Sequence, residues 1–216
     1  MLQVTAAALH SVIARAFGVP ALSDERPAKR RRCEEWGDAL VSAAYLGHET
    51  SVLRLLTGGV DKEAIGSEAL TEYLQGETPL VAAIKGRSKT RSSLIVQLLL
   101  AAGANYEMDS ADGHRPLMVA ARKGNVACVK TLLTVGATVD AQNMHIPVSH
   151  GGGYTALHFA ACRHWGVGSD AKRSRVVVAL LAAGANKTLV DNCGKTALQL
   201  AKEGGYDQVA ELLQGE

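Results

Sequence analysis

Aromatic side chains are scarce in this 216-residue chain, and neither sign of charge dominates: Phe, Trp and Tyr make up 4% of the residues, and the formal net charge is +2. The shortage of aromatics excludes a single large aromatic core, whereas helices can pack closely through abundant alanine. A nearly neutral chain also lacks the strong positive field that duplex binding needs. We therefore expect a helical protein, and we discount nucleic acid as its main partner.

The four cysteines contain no Cys-x-x-Cys pair, and the sequence shows no secretory segment with a basic start, an apolar core and a cleavage site. No apolar run reaches the roughly 20 residues that span a bilayer. These absences predict reduced thiols in a soluble protein of the cytoplasm, the nucleus or both, with no membrane association.

A short sequence motif recurs four times in the chain, as Thr78-Pro79-Leu80, Arg115-Pro116-Leu117, Thr155–His158 and Thr196–Leu198. Small residues follow each copy, and then a leucine pair. The pairs of the chain are Leu55-Leu56, Leu99-Leu100, Leu132-Leu133, Leu180-Leu181 and Leu212-Leu213, and all but the last precede a glycine corner, at Gly59, Gly103, Gly136 or Gly184. A short unit taken five times predicts one elongated repeat domain.

The repeats resemble those of the ankyrin family, whose unit of about 33 residues carries a T-P-L-H-x-A signature. Thr155–Ala160 keeps that signature apart from alanine in place of proline, and Gly-Ala-Asn corners stand at 103–105 and 184–186. The resemblance covers residues 36–216. It implies an all-α solenoid of stacked helix-turn-helix units with projecting hairpin loops. The repeats would occupy about 36–66, 75–108, 112–142, 152–190 and 191–216, with terminal capping units.

Two segments precede the repeats. Residues 5–17 place apolar side chains at helical spacing, which predicts an amphipathic helix within 1–19 that covers the first repeat, targets the protein or binds a partner. Residues 20–35 are polar and predict a linker. The linker's basic cluster resembles a nuclear import signal that a receptor would hold as an extended strand, and simple solvation is the alternative. The cluster consists of Lys29, Arg30, Arg31 and Arg32.

Leucine spacing separates short connections from long ones. From the leucine pair of one repeat to the signature leucine of the next, the spacing is 18 residues after repeats two and four but 25 after repeats one and three. The longer spacing predicts two finger loops, at 61–76 and 143–153. Extra residues at 87–93 and 164–174 predict further loops inside repeats two and four. Long surface loops often carry function.

The ankyrin resemblance implies that a partner binds the concave side, at the hairpin tips and the exposed ends of the inner helices. Cations at helix ends also have a structural explanation, because they oppose the helix macrodipole. A row of them across three repeats favours a partner with an acidic segment. The resemblance and the second finger together select Tyr45, Leu46, Glu77, Lys85, Arg87, His114, Arg122, Lys123, Met144, Ile146, Tyr154, Arg163, His164, Trp165, Asn192, Lys195 and Glu203.

Chemistry of other kinds finds little support. His158, Cys162 and His164 could supply zinc ligands, but the resemblance makes His158 a structural hydrogen-bonding residue, and no fourth ligand is evident. No serine or cysteine has a base and an orienting partner. We expect no enzyme, cofactor or metal, but a monomeric scaffold that binds a partner protein through the concave surface and two fingers. The alternative is a nuclear regulator that contacts chromatin or nucleic acid through residues 26–32.

Overall fold

The structure, a computed structural model, describes residues 26–67, 70–71, 74–86, 88–143, 152–162 and 170–215, and among them residues 26–34 and Lys89 by their backbone alone. These residues form helices and turns, and one isolated bridge joins Val190 to Thr196. The all-α prediction is confirmed. The chain divides into two compact units with the boundary between Asn105 and Tyr106. Within the described ranges, no helix is both long enough and apolar enough to cross a membrane.

The first unit contains two helical hairpins. Inner helices α1 and α3 contact each other, outer helices α2 and α4 contact each other, and each inner helix packs on the outer helix that follows it. Leu40, Leu80 and Leu99 lie in the buried core between them. The four helices are α1 (Arg26–Leu46), α2 (Glu49–Thr57), α3 (Pro79–Lys85) and α4 (Lys89–Ala101).

The second unit repeats this arrangement. Its inner helices, α5, α7 and α9, contact one another in series, its outer helices, α6, α8 and α10, do the same, and consecutive helices pack in pairs. Its core holds Leu132, Phe159 and Leu180. The six helices are α5 (Pro116–Arg122), α6 (Val126–Thr134), α7 (Ala156–Ala161), α8 (Asp170–Ala182), α9 (Ala197–Gly204) and α10 (Asp207–Gln214).

The repeated motif forms the N-termini of the inner helices because its threonines can cap a helix and its prolines fit the first helical position. The side chains of Thr78, Thr155 and Thr196 each accept a hydrogen bond from a backbone N–H three residues along the chain, which satisfies a donor that the helix itself leaves open. Pro79 and Pro116 stand at the first helical position, where a missing N–H costs little. The glycine corners that end the outer helices have φ between +79° and +93°, the left-handed region that favours glycine.

Two features differ from the sequence predictions. Helix α1 begins at Arg26, so the predicted linker is helical over its second half, because alanine, lysine, arginine and glutamate are good helix formers and Pro27 lies in the first turn. The predicted extra loops also shorten. Helices α4 and α8 have 13 residues each against 9 for α2 and α6, so part of each insertion lengthens an outer helix. The predicted helix at 5–17 lies outside the described residues.

Candidate functional site

The base of the second finger is closed by backbone hydrogen bonds. The N–H of Asn143 donates to the carbonyl of Tyr154 (3.1 Å), and the N–H of Gly153 donates back to the carbonyl of Asn143 (2.9 Å). The Asn143 side chain accepts from the N–H of Tyr154 (2.6 Å). The two ends of the finger are therefore held together by hydrogen bonds, and the predicted contact residues Met144 and Ile146 lie outside the described residues.

The next hairpin turn, Asp191–Lys195, docks on this base. The N–H of Asn192 donates to the carbonyl of Gly152 (2.8 Å). The side-chain amide of Gln142 bridges the two segments, because it donates to the carbonyls of Gly153 (2.9 Å) and Val190 (3.0 Å). We call the combined surface of Gln142, Asn143, residues 152–154 and Asp191–Lys195, with Glu203 beside Lys195, the hairpin platform.

The turn itself is held from inside. One carboxylate oxygen of the buried Asp191 accepts from the N–H groups of Cys193 (2.8 Å) and Lys195 (2.9 Å). Gly194 has φ +74°, a conformation that a residue with a β-carbon would adopt only under strain. Asn192 and Cys193 are exposed at the tip. The turn thus presents their side chains from a backbone that has little freedom to move.

His158 anchors the platform from beneath. Its Nδ1 accepts from the N–H of Thr155 (3.2 Å) in a capping box, and its Nε2 lies 3.2 Å from the carbonyl of Lys195, which fits a neutral ring protonated on Nε2. Burial lowers the pKa of His158 below its usual 6.5, against smaller opposing effects of the Lys195 carbonyl and Asp191. The hydrogen-bonding role that the family resemblance implies agrees with this geometry. No group of three His, Cys, Asp or Glu that could hold a metal occurs in the described part of the chain.

Three of the selected residues are buried: Glu77, His114 and Tyr154. Each directly precedes the N-cap residue of an inner helix, a position whose side chain commonly packs against that helix's first turns. Tyr154 packs on Phe159 with ring centroids 5.4 Å apart, and the ring of His114 meets Phe159 edge-on at 4.9 Å. Burial raises the pKa of Tyr154 to about 12, and nearby Cys162 and Asp191 add to the effect. Buried side chains of this kind offer little surface to a partner.

The cations at the inner-helix ends have carboxylate neighbours. Lys85 Nζ lies 2.6 Å from Glu77 Oε1, and Arg122 lies 3.8 Å from Asp112 with a side chain only 13% exposed. Lys195 Nζ lies 2.7 Å from Glu203 Oε2, and both of those side chains are exposed. A partner's acidic segment would have to compete with these carboxylates.

The remaining selected residues divide by exposure. Tyr45 is half-buried against the Val41, Leu74 and Ala82 cluster, to which the first finger contributes Leu74. Leu46, Lys123 and Asn192 are exposed. Arg87, Arg163, His164 and Trp165 lie outside the described residues. Lys29, Arg30, Arg31 and Arg32 belong to α1, so an extended strand would require this part of the helix to unwind.

Sequence reasoning missed Asn143 and Asp191, two of the side chains that hold the platform's backbone. Asp191 stands in a glycine-containing turn, where aspartate typically hydrogen-bonds the backbone a few positions further along the chain. That signal is visible in Asp191-Asn192-Cys193-Gly194. It indicates a structural role, which is the reason Asp191 did not stand out in a search for binding side chains. Asn143 instead bonds the N–H of Tyr154, 11 positions away, which no local rule predicts.

Comparison with known proteins agrees with the architecture. A protein-family model for three ankyrin repeats matches residues 40–143 and 87–169, and a model for a single ankyrin repeat matches 152–192. Similar proteins include "Probable E3 ubiquitin-protein ligase XBOS34" of Oryza sativa subsp. japonica, 35% identical over 121 residues, which are 56% of this chain and 21% of that protein.

Two further relatives come from other kingdoms of life. YahD of Escherichia coli (strain K12), named as an ankyrin repeat protein, is 31% identical over 119 residues, 55% of each chain. "B-cell lymphoma 3 protein homolog" of Mus musculus is 33% identical over 107 residues, 50% of this chain and 22% of that protein. The chain spans about half of the length of YahD and about a fifth of the length of the other two relatives.

Proposed function

This chain belongs to the ankyrin repeat family, and we propose from that premise that it is a non-catalytic module that binds a partner protein through the hairpin platform. Ankyrin repeats generally mediate protein–protein interaction. The observation that carries the proposal is the turn at Asp191–Lys195, whose exposed tip is fixed by two hydrogen bonds to Asp191 and by docking on the finger base. A surface that is ordered before binding loses little conformational entropy on binding.

The chemistry of the platform indicates a polar partner segment. Asn192 offers an amide at the tip, and Lys195 and Glu203 offer adjacent charges of opposite sign. Such groups contribute specificity and association rate more than raw affinity. Lys123, at the end of α5, adds an exposed cation on the same unit. We infer that the partner presents hydrogen-bonding groups and at least one carboxylate.

The name of the rice relative does not extend this proposal to catalysis. That protein is named as a probable E3 ubiquitin ligase, but the similar region is about a fifth of its length. Ankyrin repeats are typically non-enzymatic interaction modules. The proposal therefore assigns binding, and no reaction, to the described residues.

The test is affinity purification with quantitative mass spectrometry, using the whole chain as bait. The platform variant carries Asn192→Arg and Lys195→Glu, and a matched control carries Gln97→Arg and Arg54→Glu, which change the net charge by the same amount at exposed positions of the first unit. We expect the main bound protein to fall about tenfold with the platform variant and to be unchanged with the control. Equal recovery by both variants, with equal thermal unfolding, would reject the platform.

A second candidate rests on the start of α1. Because the helix continues back to Arg26, residues 29–32 form a basic helical segment, and a basic helix is one of the forms that duplex DNA accepts in its major groove. This supports the alternative of a nuclear regulator. A salt titration of duplex binding, with and without residues 1–33, tests it. A steep salt dependence that disappears with the deletion is expected, and affinity unaffected by the deletion contradicts it.

A further inference from the structure

The outer helices of the second unit carry exposed cations that differ from Arg122 and Lys195 in having no carboxylate partner among the described residues. Lys130 of α6 and Lys172 and Arg175 of α8 are exposed. Within the described ranges, no carboxylate is paired with these three cations.

These three side chains lie on two adjacent outer helices. Helices α6 and α8 contact each other, and Lys172 lies beside the turn that leads into α6, since its β-carbon is 4.0 Å from where Gly124 would carry one. Lys172 and Arg175 are three residues apart, so they project from the same face of α8. Lys130 is exposed in the middle of α6.

Small and apolar side chains are also exposed on these two helices. Ala127 of α6 and Ala171 and Ala182 of α8 are exposed, and they leave room for another chain to approach closely. Val178 is 49% exposed, and it offers one apolar contact on α8. We name the surface formed by Lys130, Lys172, Arg175 and Val178 the cationic strip.

Acidic residues lie at the edge of this surface. Helix α6 contains none, and the one carboxylate of α8, Asp170, accepts a hydrogen bond from the N–H of Gln208 (3.1 Å) at the start of α10. Asp207 and Glu211 are exposed on α10, the helix on the far side of α8 from α6. The change of sign from α8 to α10 gives a bound partner a preferred orientation.

We propose that the cationic strip is a second docking surface, which binds an acidic amphipathic helix of a partner protein. Two adjacent helices lined by small residues form a shallow seat for a third helix, Val178 meets its apolar side, and the three cations meet its carboxylates. Three cations are too few for a duplex site, which typically uses about 6–10 phosphate contacts. They also fall short of the roughly 4–8 clustered basic residues typical of anionic membrane binding. This inference is independent of the hairpin platform.

The probe is a fluorescently labelled peptide of about 18 residues, long enough for some helix to form, with leucines at helical spacing and glutamates elsewhere. Anisotropy titrations compare the wild-type chain with a strip variant, Lys130→Glu, Lys172→Glu and Arg175→Glu. The matched control is Arg54→Glu, Arg91→Glu and Lys202→Glu, which has the same net charge. We expect affinity about tenfold weaker for the strip variant and within about twofold of wild type for the control.

A further variant and a second probe separate the contributions of charge and shape. Val178→Ser is expected to weaken the peptide about threefold without changing the salt dependence, since it removes one apolar contact. A peptide of the same composition in scrambled order is expected to bind about tenfold more weakly than the patterned one. If the strip variant does not fold, the milder pair Lys130→Gln and Arg175→Gln replaces it, with an expected loss of about threefold.

Several results would overturn the proposal. Equal weakening by the strip variant and the control would show that only net charge matters. Equal binding of the patterned and scrambled peptides would show that the strip does not recognise an amphipathic helix. Unchanged peptide affinity in both the strip variant and the milder pair would show that the cationic strip is not the binding site. Tighter binding of a duplex DNA, or of phosphatidylserine vesicles, than of the peptide at the same salt concentration would assign the strip to another class of partner.

Discussion

Two ion pairs occupy the same place in two repeats, yet their surroundings differ. In the first unit Glu77 precedes the N-cap of α3 and pairs with Lys85 at the helix end, and in the second unit Lys195 precedes the N-cap of α9 and pairs with Glu203 in its last turn. Each pair spans eight residues, with the signs reversed. The side chains of the first are 2% and 10% exposed, and those of the second are 40% and 56% exposed.

The difference shows that burial, rather than charge or position in the repeat, decides what such a pair does. A buried charge must keep its partner, because an uncompensated charge in the interior is costly. An exposed pair contributes little to stability, because water already solvates both groups, and its charges remain accessible to another molecule. The same position in the repeat is thus structural in the first unit and belongs to the proposed binding surface in the second.

Breaking the buried pair gives the largest expected effect. Lys85→Met leaves the Glu77 carboxylate buried without its cation, and we expect the free energy of unfolding to fall by about 3–5 kcal/mol. Urea denaturation followed by circular dichroism measures the change. The double variant Glu77→Leu, Lys85→Met should recover most of the loss, because it removes both charges. A loss below about 1 kcal/mol in the single variant would mean that the pair is not buried in solution.

The backbone carbonyl of Lys195 contacts the buried His158 ring, so we expect this contact to stabilise the fold, unlike the exposed Lys195 side chain. His158→Ala removes the side chain that contacts both Thr155 and the Lys195 carbonyl, and we expect a loss of about 2 kcal/mol. The same urea titrations measure it. A loss confined to the second unit's unfolding transition would support the anchor, whereas an unchanged midpoint would exclude it.

The pH dependence of stability sharpens this test. The pKa of His158 is lowered below 6.5 in the folded chain, so below that pH the unfolded chain binds more protons, and stability falls as the pH falls from about 6.5 toward the folded-state pKa. His158→Gln keeps a polar side chain but cannot titrate. We expect it to reduce the slope of unfolding free energy against pH between about 6.5 and 5. An identical slope in wild type and variant would assign the pH dependence to other groups.

The sequence predicts the parts of this fold that local rules determine. Threonine and proline at helix starts, leucine pairs and glycine corners each have a backbone consequence that operates within a few residues. The start of α8 at Asp170 was not predicted. The glycines at 166 and 168 favour a loop there, whereas residues 170–173 have enough helix-forming character to make the first turn of α8.

The candidate site was harder to predict, because exposure depends on the packing of neighbouring repeats. Glu77 and Lys195 hold equivalent positions, and no local rule distinguishes the side chain that neighbours cover from the one that stays open. Tyr154 could have been recognised as buried, since an apolar residue before an N-cap commonly packs on the residue at the fifth position after it, here Phe159. Whether Lys130 and Arg175 form an ion pair depends on where every nearby carboxylate lies, which requires the structure.

The smallest effect on stability should come from breaking the exposed pair of Lys195 and Glu203. Lys195→Met breaks the contact with Glu203, but both groups are solvated, so we expect no measurable change in the urea midpoint. Binding should respond instead, because the variant leaves Glu203 unneutralised on the platform. The affinity for the partner recovered with the wild-type chain should fall about threefold at low salt and recover partly as salt screens the carboxylate. Glu203→Gln in the same background should restore part of the binding, since it removes the exposed negative charge but does not replace the Lys195 cation. A large loss of stability with unchanged binding would place this pair in the structural class with Glu77 and Lys85.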